Sequence, residues 1–179
     1  MPEAPIERSD YGLVPTGEGW FAVNVREAAW VTSERFGAAC VFEGQLASFP
    51  QIGYTLAVLE PGQASGMYHR ESDQEDFLVL SGECIAIVED EERRLRDWDF
   101  LHCPAGTEHI FVGAGSGPCT IFMVGAREHG HRAFYTRSET ALRHGAGVEE
   151  ETPESDEAYA SSPPWRPGPP ESFDGLPFQ

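Results

Sequence analysis

Residues 66–83 read GMYHRESDQEDFLVLSGE. Three polar side chains, His69, Glu71 and Glu75, come before an apolar run that ends at Gly82. Side chains alternate faces along an extended strand, so His69 and Glu71 point the same way, about 7 Å apart along the chain. A bend over Ser72, Asp73 and Gln74 that keeps the face would bring Glu75 into the same interior on the next strand. The stretch is either a charged turn or half of a metal cage. Tyr68 and Gln74 have the opposite parity and are expected to point away.

The other half of such a cage lies in DFLHCPAGTEHIFVG, residues 99–113. Pro104 fixes its φ and Gly106 tolerates a positive one, so a sharp turn can hold the following His109 still. His109 is the candidate fourth ligand. His102, just before the turn, is expected to be hydrogen-bonded near the wall of the domain.

Outward from these two stretches the texture is short apolar runs, YTLAVLE, ECIAIVED and CTIFMVGAR, broken by turn signals at Pro61-Gly62, Ser81-Gly82 and residues 113–118. This spacing predicts an antiparallel all-β barrel or sandwich. In EDFLVLS, Glu75, Phe77 and Val79 share one face while Leu78 and Leu80 take the other, so both faces are apolar. Such a strand needs a second cover. Residues 13–50, carrying Trp20, Phe21, Trp30, Phe36, Phe42 and Phe49, offer one from the same subunit or a neighbour, which raises the expectation of a homodimer. Phe77, Val79, Ile85, Ile87, Phe111 and Met123 are the expected lining of the interior.

The 179 residues hold 30 acidic and 12 basic side chains, every basic one an arginine, for a net charge of −18. That field repels phosphate backbones and anionic lipid, which argues against nucleic-acid and membrane partners. No apolar run approaches the about 20 residues of a membrane span, and the N-terminal residues lack the pattern of a signal peptide, so a cytoplasmic protein is expected. Cys40, Cys84, Cys103 and Cys119 form no CxxC pair and read as buried thiols.

After residue 135, Thr136 and Glu139 have capping-box spacing, Gly145 stands at a helix stop, and Thr152-Pro153 offers a second N-cap. Short helices are expected near 137–144 and 153–160, followed by a Pro-rich tail in which Trp165, Phe173 and Phe178 favour docking. His129 and His131, in REHGHR, imitate a ligand pair but read as loop residues.

These residues resemble the cupins. The segment Gly62–Gly82 is similar to the first cupin motif, a glycine, a His-X-His pair, a glutamate and a closing glycine, and residues 98–113 resemble the second through Pro104, Gly106 and His109. The departures are one extra residue between Gly62 and His69, Glu71 at the second histidine, Trp98 for a glycine and Gly113 for an asparagine. The resemblance implies a jelly-roll-like antiparallel β-barrel over residues 50–127, an N-terminal β arm over 1–49 packing on the barrel or a partner subunit, and a C-terminal extension over 128–179. It also implies a divalent metal on His69, Glu71, Glu75 and His109.

With Glu71 as a ligand, two carboxylates neutralise the divalent charge, which favours harder ions: manganese, iron or zinc, with nickel admissible. Alternatively Glu71 is a catalytic base beside a three-ligand site. The expected activity is that of a metal-dependent oxygenase or isomerase acting on a small polar organic substrate. The rival is a non-catalytic small-ligand-binding or sensing cupin, with or without a metal.

Overall fold

The computed structural model describes residues 1–44, 47–130 and 132–171. The strands are β1 (Ile6–Ser9), β2 (Gly12–Pro15), β3 (Ala29–Ser33), β4 (Gly37–Val41), β5 (Ile52–Leu59), β6 (Arg70–Glu71), β7 (Glu75–Ser81), β8 (Glu83–Val88), β9 (Glu91–Arg96), β10 (Phe100–Cys103), β11 (His109–Ala114), β12 (Cys119–Ala126), β13 (Ala133–Phe134) and β14 (Arg166–Pro167). Two short helices, α1 (Glu139–Arg143) and α2 (Ser155–Ala158), lie between β13 and β14. A seven-stranded sheet runs β10-β7-β12-β5-β4-β3-β14 and faces a three-stranded sheet, β11-β8-β9; β6 pairs with β13 and β1 with β2. All strand pairings are antiparallel.

The interior between the two main sheets is filled by Leu59, Phe77, Val79, Cys84, Ala86, Cys103, Phe111, Cys119 and Ile121, with Met123 packed against them. Removing such large side chains from water contributes about 1.5–3 kcal/mol each. Phe77 and Val79 point inward as their alternation predicts. On β8, by contrast, the small residues Cys84 and Ala86 face the interior, and Ile85 and Ile87 face outward into a second cluster with Tyr68, Ile110, Tyr135 and Ala141. The expected lining role of Ile85 and Ile87 is thus corrected. On the interior face Ala86 sits opposite Phe111, and the isoleucines instead bury against the C-terminal segment.

The four cysteines are buried free thiols, and burial pushes Cys40 and Cys103 up to about 12. The turn between β7 and β8 requires Gly82, at φ 79°; a Cβ there would sit 2.3 Å from the Pro118 carbonyl oxygen.

The N-terminal strands β3 and β4 extend the larger sheet, and Val23, Val25 and Phe42 from the adjoining segments cover part of its outer face. Ala28, Trp30, Ala38, Cys40, Leu56 and Val58 form one cluster, joined by Val23, Val25, Phe42, Leu80 and Phe122. Trp30 also donates its indole N–H to the Val25 carbonyl at 2.9 Å. A bidentate pair locks this segment to the end of β12: Arg127 donates to both Glu43 oxygens at 2.9 and 2.8 Å and to the Phe49 carbonyl at 2.7 Å.

The C-terminal segment wraps the other side. The cap of α1 is Ser138, not Thr136: its Oγ accepts from Ala141 N at 3.0 Å and donates to Asp90 at the β8–β9 hairpin tip. Asp90 also accepts from Thr140 N, so a long-range carboxylate selects the cap that local spacing placed two residues earlier. Gly145, at φ 67°, ends α1 as expected. The cap of α2 is Glu154 rather than Thr152, whose Oγ1 instead accepts from Glu154 N. Trp165 docks by stacking on Phe36, 6.3 Å between centroids. His131, Phe173 and Phe178 lie outside the described residues. No helix among the described residues is long and apolar enough to cross a membrane.

Candidate metal centre

His69 and His109 face each other across an antiparallel bridge. Each backbone amide donates to the other residue's carbonyl, at 3.2 Å from His69 N and 2.8 Å from His109 N. Directly opposed residues present their side chains on the same face, and the ring centroids are 5.2 Å apart. Both rings are oriented in the same way: His69 Nδ1 lies 2.7 Å from the Met67 carbonyl and His109 Nδ1 lies 3.0 Å from the Thr107 carbonyl. A carbonyl only accepts, so each Nδ1 carries the proton and each Nε2 is directed at the centre.

Glu75, at the start of β7, brings Oε2 to 3.3 Å from His109 Nε2. One ligand atom each from His69, Glu75 and His109 lie within 4.8 Å of one another. Glu71, also buried, abuts this trio from β6, with Oε1 3.6 Å from His69 Nε2, but is not part of the mutual cluster. Phe77 closes the floor, its ring 5.0 Å from that of His109.

The electrostatics favour positive charge at the centre. Burial opposes protonation of His69, but the hydrogen bond to Glu71 and the charge of Glu75 outweigh it and hold its pKa above the ordinary histidine value. Burial, and then the nearby charge of His69, depress His109 to about 4. A neutral His109 Nε2 facing a Glu75 oxygen sets two acceptors against each other, an arrangement relieved by a cation between them. Two imidazole nitrogens and a carboxylate oxygen suit zinc, manganese or iron.

The other singled-out residues fall elsewhere. His102 pairs with Asp76 at 2.6 Å on the exposed side of β10. His129 is a loop residue held by Asp73, which accepts from both its backbone N and Nδ1 at 2.8 Å. Tyr68 points away from the centre into the cluster under α1, and Gln74 is on the surface.

Two residues near the centre carried no local signal. Tyr135 lies 5.7 Å from the His69 ring, and its phenol, pushed up to about 12 by burial, pairs with Tyr159. Tyr159 accepts from Met67 N at 3.0 Å, behind the carbonyl that holds His69. Both lie beyond the last long strand, where an aromatic reads simply as core.

A cavity of about 420 Å³ borders Glu71, lined also by Arg70, Ser72, Ala105, Gly106, Arg132 and Phe134. A second, of about 430 Å³, lies between Ser33–Gly37 and the Pro163–Pro170 arm and shares no residue with the centre.

The chain matches the family model for the cupin domain over residues 55–125. No curated protein sequence matches it. Among solved structures it is similar to a sugar phosphate isomerase of the cupin superfamily from Silicibacter pomeroyi, at 22% identity and TM-score 0.55 over 66% of this chain and 88% of that one. It is also similar to a polyketide cyclase from Streptomyces resistomycificus, at 14% identity and TM-score 0.51 over 60% of this chain and 79% of that one. A candidate sugar phosphate isomerase from Acidithiobacillus ferrooxidans aligns at 24% identity and TM-score 0.43 over 47% of this chain and only 54% of its own length. At these identities the likeness is one of fold. The two facing antiparallel sheets, the convergence of His69, Glu75 and His109, and the family match are consistent with a cupin domain over residues 55–125.

Proposed function

We propose that the chain is a metal-dependent isomerase of a small hydroxycarbonyl compound, with His69, Glu75 and His109 holding a divalent ion and Glu71 acting as the base. The observation that carries this is the position of Glu71, a buried carboxylate 3.6 Å from one imidazole yet outside the three-donor cluster. A bound divalent ion would supply Lewis-acid polarisation of a substrate carbonyl. Glu71 takes the proton from the hydroxyl-bearing carbon next to that carbonyl and returns it to the former carbonyl carbon, while the proton of that hydroxyl passes to the former carbonyl oxygen, so one carboxylate serves both carbon transfers and no oxidant is needed. Phe77 and Tyr135 limit water around the transferred proton. A sugar phosphate isomerase is among the structures of similar fold. The oxygenase reading has no comparable feature in its favour.

The test is Glu71→Gln. Metal content by elemental analysis should match that of wild type, while exchange of substrate C–H for deuterium in D2O, followed by proton NMR over a panel of aldoses, ketoses and hydroxyketones, should fall about 100-fold or more. Loss of metal from the variant would make Glu71 a ligand and end the base assignment.

As to assembly, we propose a homodimer through the β10 edge of the larger sheet, which the N-terminal segment leaves open and where Phe100 and Trp98 are 63% and 74% exposed. Sedimentation velocity showing a monomer at micromolar concentration would refute it.

A further inference from the structure

We infer that the cavity beside Glu71 is a subsite for the oxyanion end of a small substrate, a carboxylate or phosphate group gripped by Arg132 and Arg70. The inference rests on the proposed metal centre as the reaction site, because Glu71 borders both. In a chain of net charge −18, two of its twelve arginines line one cavity of about 420 Å³ next to the histidine–carboxylate cluster. The surrounding acidic surface repels anions, so a locally cationic cavity draws an oxyanion to one place.

The Arg70 guanidinium is held by contacts of its own, and Arg132 is anchored beside it through its backbone. Arg132 is fixed through its backbone: its N donates to Ser72 Oγ at 3.0 Å and its carbonyl accepts from Ser72 N at 2.9 Å, one residue from Glu71. Among the described residues no carboxylate lies within ion-pair distance of its side chain. Arg70 lies over the Phe134 ring, Cζ 5.0 Å from the centroid, and its only described ion pair is a long one, 3.5 Å to Glu108. A guanidinium stacked on a ring keeps its in-plane N–H donors available, the geometry that grips carboxylate or phosphate in two places. The pairing of β6 with β13 sets Phe134 opposite Arg70 and Ala133 opposite Glu71, so base and anion clamp share one two-stranded element. Glu71 is the one acidic residue among the described residues lining the cavity, and its carboxylate lies 3.6 Å from His69 Nε2, so the arginines rather than Glu71 would hold the oxyanion.

The test is calorimetric titration of the full chain with inorganic phosphate and, separately, with acetate, using glycerol as the uncharged control. At least one anion should bind while glycerol does not, and the tighter of the two tells phosphate from carboxylate. Arg132→Ala should weaken binding about tenfold or more, and Arg70→Lys should weaken it too, because a lysine cannot grip in two places. Arg94→Ala, on β9 away from the cavity, should leave it unchanged. Binding should persist in His109→Ala, so the subsite can stand even if metal analysis rejects the centre. No binding of either anion, wild-type binding by Arg132→Ala, or loss of binding in His109→Ala alone would overturn the inference; the last would place the anion on the cage.

Discussion

Tyr159→Phe removes one oxygen and leaves the ring in place, which makes it a clean probe of how the centre is held. The ring packs edge-on against Phe36, 5.3 Å between centroids, and against Tyr135 at 5.7 Å, and neither contact needs the hydroxyl. Lost are the bond accepted from Met67 N at 3.0 Å and the pairing with the Tyr135 phenol. A buried N–H left without its acceptor costs about 1–3 kcal/mol. For a chain of this size that lowers the melting temperature by about 2–12 °C. Because the Met67 carbonyl holds His69 Nδ1, loosening residue 67 should also weaken divalent-ion binding by about 10–100-fold, as the loss of supporting contacts around a ligand does.

Gly66→Ala attacks the same contact from the other side, since a Cβ there would lie 2.8 Å from the Tyr159 hydroxyl and no closer than 3.8 Å to any other described atom beyond its chain neighbours. Gly66→Ala should therefore cost less in the Tyr159→Phe background than in wild type. Urea denaturation of the four proteins, with a competitive chelator titration of zinc, measures both effects. A Tyr159→Phe variant within about 0.5 kcal/mol of wild type with undiminished zinc affinity would refute the chain of contacts.

The cover on the larger sheet predicts a contrast between two tryptophans. Trp30, 1% exposed, should cost about 3–5 kcal/mol when changed to Ala, and Trp20, 55% exposed, less than about 0.5; equal losses in denaturant melts would contradict the packing. The histidines predict a pH dependence. His69, raised above the ordinary value, keeps its proton to higher pH in the folded metal-free chain, so its contribution to stability is present below the unfolded pKa and disappears as pH rises through the folded one. His109, lowered to about 4, acts oppositely: the unfolded chain takes up its proton first, and stability falls as pH drops from the ordinary value toward about 4. A divalent ion then displaces one proton, from His69, and its affinity should rise about tenfold per pH unit until His69 has titrated. A slope of two protons over the same range, measured by chelator competition, would place both histidines in the charged form.

Much of the architecture was legible because it depends on local quantities. Period-two alternation puts Phe77 and Val79 on one face of β7, Gly82 and Gly106 mark turns with positive φ, and the spacing of Pro104 and Gly106 to His109 sets up a strand start. The same spacings single out His69, Glu71, Glu75 and His109. Alternation does not say which face of a doubly apolar strand is inside, which is why Ile85 and Ile87 read as lining although Cys84 and Ala86 face the interior. Nor does it say which donors come mutually close: Glu71 shares the parity of His69, yet the three donors within 4.8 Å of one another come from His69, Glu75 and His109. Cover by the chain's own N-terminal segment, the Asp90 carboxylate that chooses the cap of α1, the Tyr159 hydroxyl behind Met67 and the placing of Arg132 beside Glu71 all join residues far apart in sequence. Such contacts exist only once the sheets have closed on each other. No local pattern encodes them, because the partner that satisfies each polar group arrives from another part of the chain.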